Sequence, residues 1–221
     1  MKTTAIVPAL NEEKNIARVL EPLLNAPEIN EVLVVDGGST DQTVAISRKM
    51  GARVLEVPHC QGKAEAMEAG VKATDAEVVL FFDADLIGLN QEHISALLKP
   101  IFNNQAVMCV GIRERWGGLP KLFIKIDPLL AIGGERAMKR FVFEKVPVEF
   151  KHGFAIETGL NYYCRANKLP VAYVLLKGLT MVVKEKKWGF WTGLKARLLM
   201  NWQIIKVRFL ILKTRKKFKN N

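Results

Sequence analysis

Val78-Val79-Leu80-Phe81-Phe82-Asp83-Ala84-Asp85 is the stretch that decides the fold. Five consecutive apolar residues, all of them β-branched, aromatic or leucine, predict a strand covered on both faces. That is the mark of a parallel sheet layered between helices, not of an antiparallel sheet with one wet face. Two carboxylates close the run, and the carboxyl edge of an open α/β sheet is where ligands bind. Along an extended chain Asp83 and Asp85 point the same way, so both can converge on one hard cation, Mg2+ or Mn2+, bridging a diphosphate. A solvated pair at a strand end is the plainer alternative.

Working back toward the start, β-branched runs alternate with amphipathic stretches, the signature of βα units. Thr4-Ala5-Ile6-Val7 predicts a first strand, which Pro8 should end because proline has no ladder donor. Asn11 can cap the next helix, in which Ile16, Val19, Leu20, Leu23 and Leu24 recur at helical spacing and Glu12 and Glu13 fall in the first turn. Glu31 to Asp36 reads as a second strand bounded by Gly37-Gly38, with Ser39 or Thr40 placed to cap a helix after it. A third strand over 52–57 and a helix after Gly62 complete a nucleotide-binding layout. Asp36 sits where a carboxylate can accept from a base N–H, or cap its own turn; Lys63 opens a helix, where it can meet a phosphate beside the N-terminal amides.

Beyond Val110 the pattern weakens. Helical periodicity is read around 134–141 and 157–167, and Val171 to Leu176 predicts a late strand; the segment is expected to bind the second substrate.

The chain has 221 residues, 33 basic and 22 acidic, for a net charge of +11. Of these, 12 basic residues and one acidic residue follow Val183, so the body is neutral and the whole excess lies in the last 38 residues. This points away from a nucleic-acid-binding body and toward one anionic partner at one edge. From Trp188 onward, Trp191, Leu194, Leu198, Trp202, Ile205, Phe209 and Leu212 form one helical stripe interrupted by Lys195, Arg197, Lys206 and Arg208. The uncharged runs are far shorter than the roughly 20 residues a spanning helix needs. The expectation is an amphipathic basic helix over 188–221 lying on an anionic membrane surface, with packing on the domain itself or on a second subunit as the alternative. Three cysteines without CxxC spacing argue for a reducing compartment, and the N-terminus has no signal-peptide pattern, so a cytoplasmic, peripherally membrane-bound protein is expected.

Taken together and in order, Ile6-Val7-Pro8-Ala9-Leu10-Asn11-Glu12-Glu13, Val34-Val35-Asp36-Gly37-Gly38-Ser39-Thr40-Asp41, Gly62-Lys63-Ala64 and Phe82-Asp83-Ala84-Asp85 resemble family-2-type glycosyltransferases with the GT-A fold. The resemblance covers roughly the first 110 residues. It implies an α/β, Rossmann-like, mostly parallel central sheet flanked by helices, with residues 1–110 as a nucleotide-sugar half, 111–183 as an acceptor half and 184–221 as the basic helical tail. It further implies a metal-dependent hexosyltransferase with a UDP or GDP sugar as donor. Pro8, Ala9, Leu10, Asn11 and Glu12 with Asp36 and Gly38 would surround the base, Lys63 would approach the diphosphate, and Asp83, Ala84 and Asp85 would lie at the ribose and the metal.

The second half resembles the family around His152-Gly153-Phe154-Ala155-Ile156-Glu157-Thr158-Gly159-Leu160, where related enzymes, including polyprenyl-phosphate sugar transferases and glucosyl-phosphoglycerate synthases, carry an acidic residue beside the acceptor. Glu157 is therefore the candidate base, with a helix-start glutamate as its ordinary reading. Gly133-Gly134-Glu135-Arg136-Ala137 resembles an acceptor-side turn in which Arg136 grips a phosphate in two-pronged fashion. Several relatives supply a metal-binding histidine after the late strand, and Thr180-Met181-Val182-Val183-Lys184 has none. The acceptor expected from the tail is a polyprenyl phosphate; a soluble phosphorylated acceptor such as a phosphoglycerate is the alternative. A nucleotidyltransferase would need a glycine-rich basic loop after the first strand, which Pro8 to Glu13 is not. A non-catalytic membrane-binding module would leave Asp36, Lys63, Asp83 and Asp85 unexplained.

Overall fold

The computed structural model describes residues 1–113, 134–153 and 155–182. In chain order the elements are β1 (Thr3–Ala9), α1 (Ile16–Leu24), β2 (Glu31–Asp36), α2 (Thr43–Lys49), β3 (Arg53–Glu56), α3 (Lys63–Lys72), β4 (Val78–Phe81), β5 (Leu86–Ile87), α4 (Gln91–Phe102), β6 (Met108–Arg113), β7 (Arg136–Lys139), α5 (Arg140–Glu144), a 3-10 turn (Val148–Phe150), α6 (Ala155–Ala166), β8 (Val171–Leu176) and β9 (Thr180–Met181). The sheet order is β3-β2-β1-β4-β7-β6-β8, and β5 pairs with β9 in a small separate ribbon. All pairings in the main sheet are parallel except those of β7, which runs antiparallel to both β4 and β6.

β4 confirms the decisive run: all four residues are fully buried, and they alternate between two cores. Val78 and Leu80 join α1 and α4 through Ile16, Leu20, Leu97 and Ile101. Val79 and Phe81 join α3, α5 and α6 through Met67, Phe143 and Leu160, with the Phe81 and Phe143 rings 5.5 Å apart. Burying each such side chain is worth about 1.5–3 kcal/mol relative to exposure, so this strand anchors both layers.

Several local expectations are corrected. Pro8 does not end β1 but pairs with Val35 inside it. Ile6 accepts from the Phe82 amide, so residue 6, and by alternation residue 8, faces β4; β4 has ended there, and no donor is needed. Asn11 is not the helix cap, because φ is 54° and α1 starts later, after Asn15, which takes Glu12 and Glu13 out of its first turn. Ser39 and Thr40 do not cap α2 either; that helix begins at Thr43, whose amide donates to Asp41. The helix read around 134–141 is a strand and then a short helix, because Arg136 to Lys139 is inserted between β4 and β6 and pairing overrides a weak helical period. The remaining strands and α3 fall close to their expected positions.

The expected boundary at residue 183 and the basic helix over 188–221 lie outside the described residues. Among the described residues no helix is long and apolar enough to cross a membrane.

Candidate active site

The carboxyl ends of β1, β2 and β4 gather three loops, and the first two are laced together. The Asn11 amide donates to Ser39 Oγ at 2.8 Å while Asn11 Oδ1 accepts from the Thr40 amide at 2.8 Å. The Glu12 amide donates to Thr43 Oγ1, and the Glu13 amide to Asp41 Oδ2. Glu13 in turn accepts from the Gln42 amide. Backbone donors that a loop would otherwise leave to water are thus satisfied across about 30 residues of sequence, which fixes the loop pair without a ligand. Gly38, at φ 101°, makes the turn that lets Asp36 accept from the amides of Gly38 and Ser39 at 3.0 and 2.9 Å. Asp36 is therefore buried and engaged with its own turn, the second of its two expected roles; it shapes the loop wall. Pro8 and Ala9 lie at the end of β1, and Leu10 is left 54% exposed at the rim.

The second group of charges meets at the β4/β7 junction. Gly62, at φ 125°, turns the chain into α3 so that Lys63 is its first residue. Lys63 Nζ lies 2.5 Å from Asp83 Oδ1 and 3.5 Å from Glu157 Oε1. One ammonium therefore joins a carboxylate that follows β4 to one from the first turn of α6. Burial alone would push Lys63 down, but Asp83, then Glu157 and Glu135, hold it above the ordinary lysine value. Glu157 is buried and its Oε2 has no hydrogen-bond partner among the described residues. A Cβ on Gly134 would stand 2.6 Å from Asp83 Oδ2 and 2.8 Å from Lys63 Nζ, so the backbone of residue 134 lies directly against this ion pair.

Two expected features of this junction differ. Asp83 and Asp85 do not follow one extended strand: β4 stops at Phe81, Ala84 and Asp85 form a turn, and Asp83 is committed to Lys63. Arg136, expected to present a fork to phosphate, is fully buried within β7, and its Nη1 donates to the carbonyl oxygen of Glu157 at 3.5 Å. It braces the start of α6, because that helix covers the face of the sheet that Arg136 shares with Met138.

The segment after β8 does reach the Asp85 turn. β9 pairs with β5, and the Val182 amide donates to the Asp85 carbonyl at 3.1 Å. His93 secures this return: its Nε2 lies 2.9 Å from the Lys177 carbonyl in the β8–β9 turn. The residues whose backbone arrives beside Asp85 are Met181 and Val182, not histidine. Among the described residues no group of three or more His, Cys, Asp and Glu could hold a metal ion. Two aspartates nevertheless suit Mg2+ or Mn2+, which complete their shells with phosphate oxygens and water.

Sequence reasoning placed Gly134 and Glu135 in an acceptor-side turn without giving either a role, and it did not single out Arg113. Glu135 is fully buried, with Arg113 Nε 3.4 Å from its Oε2. Burial pushes the Glu135 carboxyl up, Asp83 adds to this, and Arg113 and Lys63 oppose it without cancelling it. A charged residue two positions before an apolar Ala137-Met138 pair was the available signal, visible only with period two.

A doubly wound sheet with a switch in strand direction beside β4, and carboxylates and a lysine at that point, defines an α/β protein of the GT-A type. Residues 4–162 match the model of glycosyl transferase family 2, and the chain belongs to that family. It is 31% identical over 190 residues to glucosyl-3-phosphoglycerate synthase of Mycolicibacterium smegmatis, covering 71% of this chain and 62% of that protein. The chain thus spans about three fifths of the length of this curated relative. Over 109 residues it is 36% identical to 4,4'-diaponeurosporenoate glycosyltransferase of Staphylococcus haemolyticus, which covers 46% of this chain and 29% of that one. A crystal structure of glucosyl-3-phosphoglycerate synthase from Mycobacterium tuberculosis with Mn2+, UDP-glucose and phosphoglyceric acid superposes with a TM-score of 0.70 at 27% identity, covering 82% of this chain and 72% of that one.

Proposed function

We propose that this protein transfers a hexosyl group, glucose first among candidates, from a UDP-sugar to the hydroxyl of a small phosphorylated acceptor such as a phosphoglycerate. The observation that carries the reading is the Lys63 ammonium standing between Asp83 and Glu157, which brings a donor-side and an acceptor-side carboxylate to one point. The acceptor class follows the two synthase relatives, one of which was crystallised with phosphoglyceric acid. Neither comparison supports the polyprenyl phosphate expected from the tail, nor the membrane association that went with it.

In this reading the Asn11–Thr40 and Glu13–Asp41 lattice forms the wall for the base, with Asp36 and Gly38 shaping it and Pro8 to Glu12 lining it. Asp83 and Asp85, with Ala84 between them, would hold Mg2+ or Mn2+. When bound, that cation neutralises the diphosphate as a leaving group. Lys63 releases Asp83 and turns to the diphosphate, adding a charge-assisted contact. Glu157, short of a partner at Oε2, aligns the acceptor hydroxyl and takes its proton as that oxygen bonds to the anomeric carbon and the bond to the diphosphate oxygen breaks. Arg136 holds the backbone of Glu157 in place for this step.

The test is transfer from UDP-glucose to 3-phosphoglycerate with Mn2+, followed by mass spectrometry of the product, with a polyprenyl phosphate in detergent as the parallel acceptor. Turnover only on the lipid would overturn the acceptor, and turnover undiminished in excess chelator would overturn the metal.

A further inference from the structure

β7 is preceded by a carboxylate to which none of these roles falls. Glu135 has no exposed surface, and neither of its oxygens has a hydrogen-bond partner among the described residues. Its ion-pair partner Arg113, 3.4 Å away through Nε, is itself nine-tenths buried, and its Nη1 has no hydrogen-bond partner among the described residues. A buried ion pair short of hydrogen bonds is a poor stabiliser, since apolar residues of similar size commonly do as well or better. The charge therefore calls for a use besides stability. Its position offers one: the preceding residue, Gly134, lies against both Asp83 and Lys63, and Glu135 is among the charges that act on Lys63.

We infer that Glu135 is a positioning residue for Lys63, the interior counter-charge that keeps its ammonium at the donor side of the junction. The inference rests on the proposed role of Lys63 and Asp83 toward a nucleotide-diphosphate-sugar. Lys63 touches two carboxylates in the ligand-free protein. Once a divalent cation draws Asp83 away, Glu157 is the sole remaining ion-pair contact among the described residues, and without other negative charge nearby the ammonium would collapse onto it. That move would cost the diphosphate its lysine and cover the carboxylate the acceptor needs. Glu135 supplies a second attraction from inside the sheet, and Arg113 and Lys63 both oppose the burial that favours its neutral form.

The experiment compares Glu135→Gln, Glu135→Asp and the paired replacement Arg113→Met/Glu135→Leu in the full chain, by titration with UDP in the presence of Mn2+ and by steady-state kinetics. Glu135→Gln strands Arg113 and is expected to lower the melting temperature; the paired replacement leaves no unmatched charge and is expected to stay folded. It should weaken UDP binding and raise the donor KM about ten-fold, the worth of one charge-assisted contact, while the acceptor KM stays within about two-fold. Glu135→Asp, which keeps the charge, should retain donor affinity within about three-fold. Added to Lys63→Met, the paired replacement should cost almost nothing further, because both act through one group. Donor affinity unchanged in the paired replacement, or a loss that adds in full to that of Lys63→Met, overturns the inference. Failure of the parent protein to bind UDP overturns the donor reading beneath it.

Discussion

The two halves of the site are built by different means. The wall made by the loops after β1 and β2, which we propose faces the donor, is a lattice of backbone amides on short side chains, joining loops about 30 residues apart. The junction proposed to face the acceptor is a set of side-chain charges brought together from α3, the turn after β4, β6, the residue before β7, and α6, with Lys63 and Glu157 94 residues apart in the chain. A lattice of amides has one good geometry and is formed before any ligand arrives. A junction in which one ammonium serves two carboxylates has several, and a ligand can choose among them. The site therefore pairs a fixed wall with a movable contact.

The sharpest way to break this contrast is at Asp85. Asp85→Asn should cut transfer on the order of 10³-fold with the fold intact, since a charge that stabilises the leaving group is lost. Single-turnover assays with a melting curve check it, and undiminished turnover would remove the metal assignment. Glu157→Gln should lower kcat by about 10² while UDP affinity barely changes, placing the residue on the acceptor side. Normal kcat with weakened nucleotide binding would move it across the boundary. Gly134→Ala puts a Cβ 2.6 Å from Asp83 Oδ2 and 2.8 Å from Lys63 Nζ, so the pair must shift. Donor affinity should fall about ten-fold, or about 1.4 kcal/mol, by calorimetry.

Asp41 tests the fixed wall, with the smallest effect. Partial burial alone would raise its carboxyl, but the Thr43 hydroxyl, then the Thr43 and Glu13 amides, hold it below the ordinary value. A depressed carboxylate stabilises the fold above its unfolded pKa and loses that contribution as pH falls through the folded one. Asp41→Ala should cost about 1 kcal/mol at pH 7. Unfolding curves should show the gap to the parent narrowing below about pH 4.

The same contrast explains what was legible in the sequence. Strands β1, β2 and β4 and the loops after them are local βα units, so Asp36, Lys63 and the Asp83–Asp85 turn could be placed from motif order. The lacing could not: Asp41 reads as one more turn residue until its partner Glu13 is brought alongside. On the acceptor side β7 was missed because four residues carry too little period to distinguish strand from helix. With it went Glu135, whose burial depends on two strands from elsewhere in the chain. Arg136 was misjudged for the same reason, since its chemistry suits phosphate and only the sheet shows that it faces inward.

The placement of β7 also bears on how the chain folds as it is made. β4 receives β1 on one side from earlier sequence, but its other neighbour begins at residue 136, more than 50 residues later. Until that segment emerges, a fully apolar strand presents an open edge, the kind of surface that recruits other strands. The wall of loops after β1 and β2 can form early from local contacts, whereas the junction of Lys63, Asp83, Glu135 and Glu157 must wait for long-range closure. A chain cut after residue 110 should therefore aggregate through β4, and a shortened enzyme of this kind would need a substitute for β7 before it needed one for any side chain of the site.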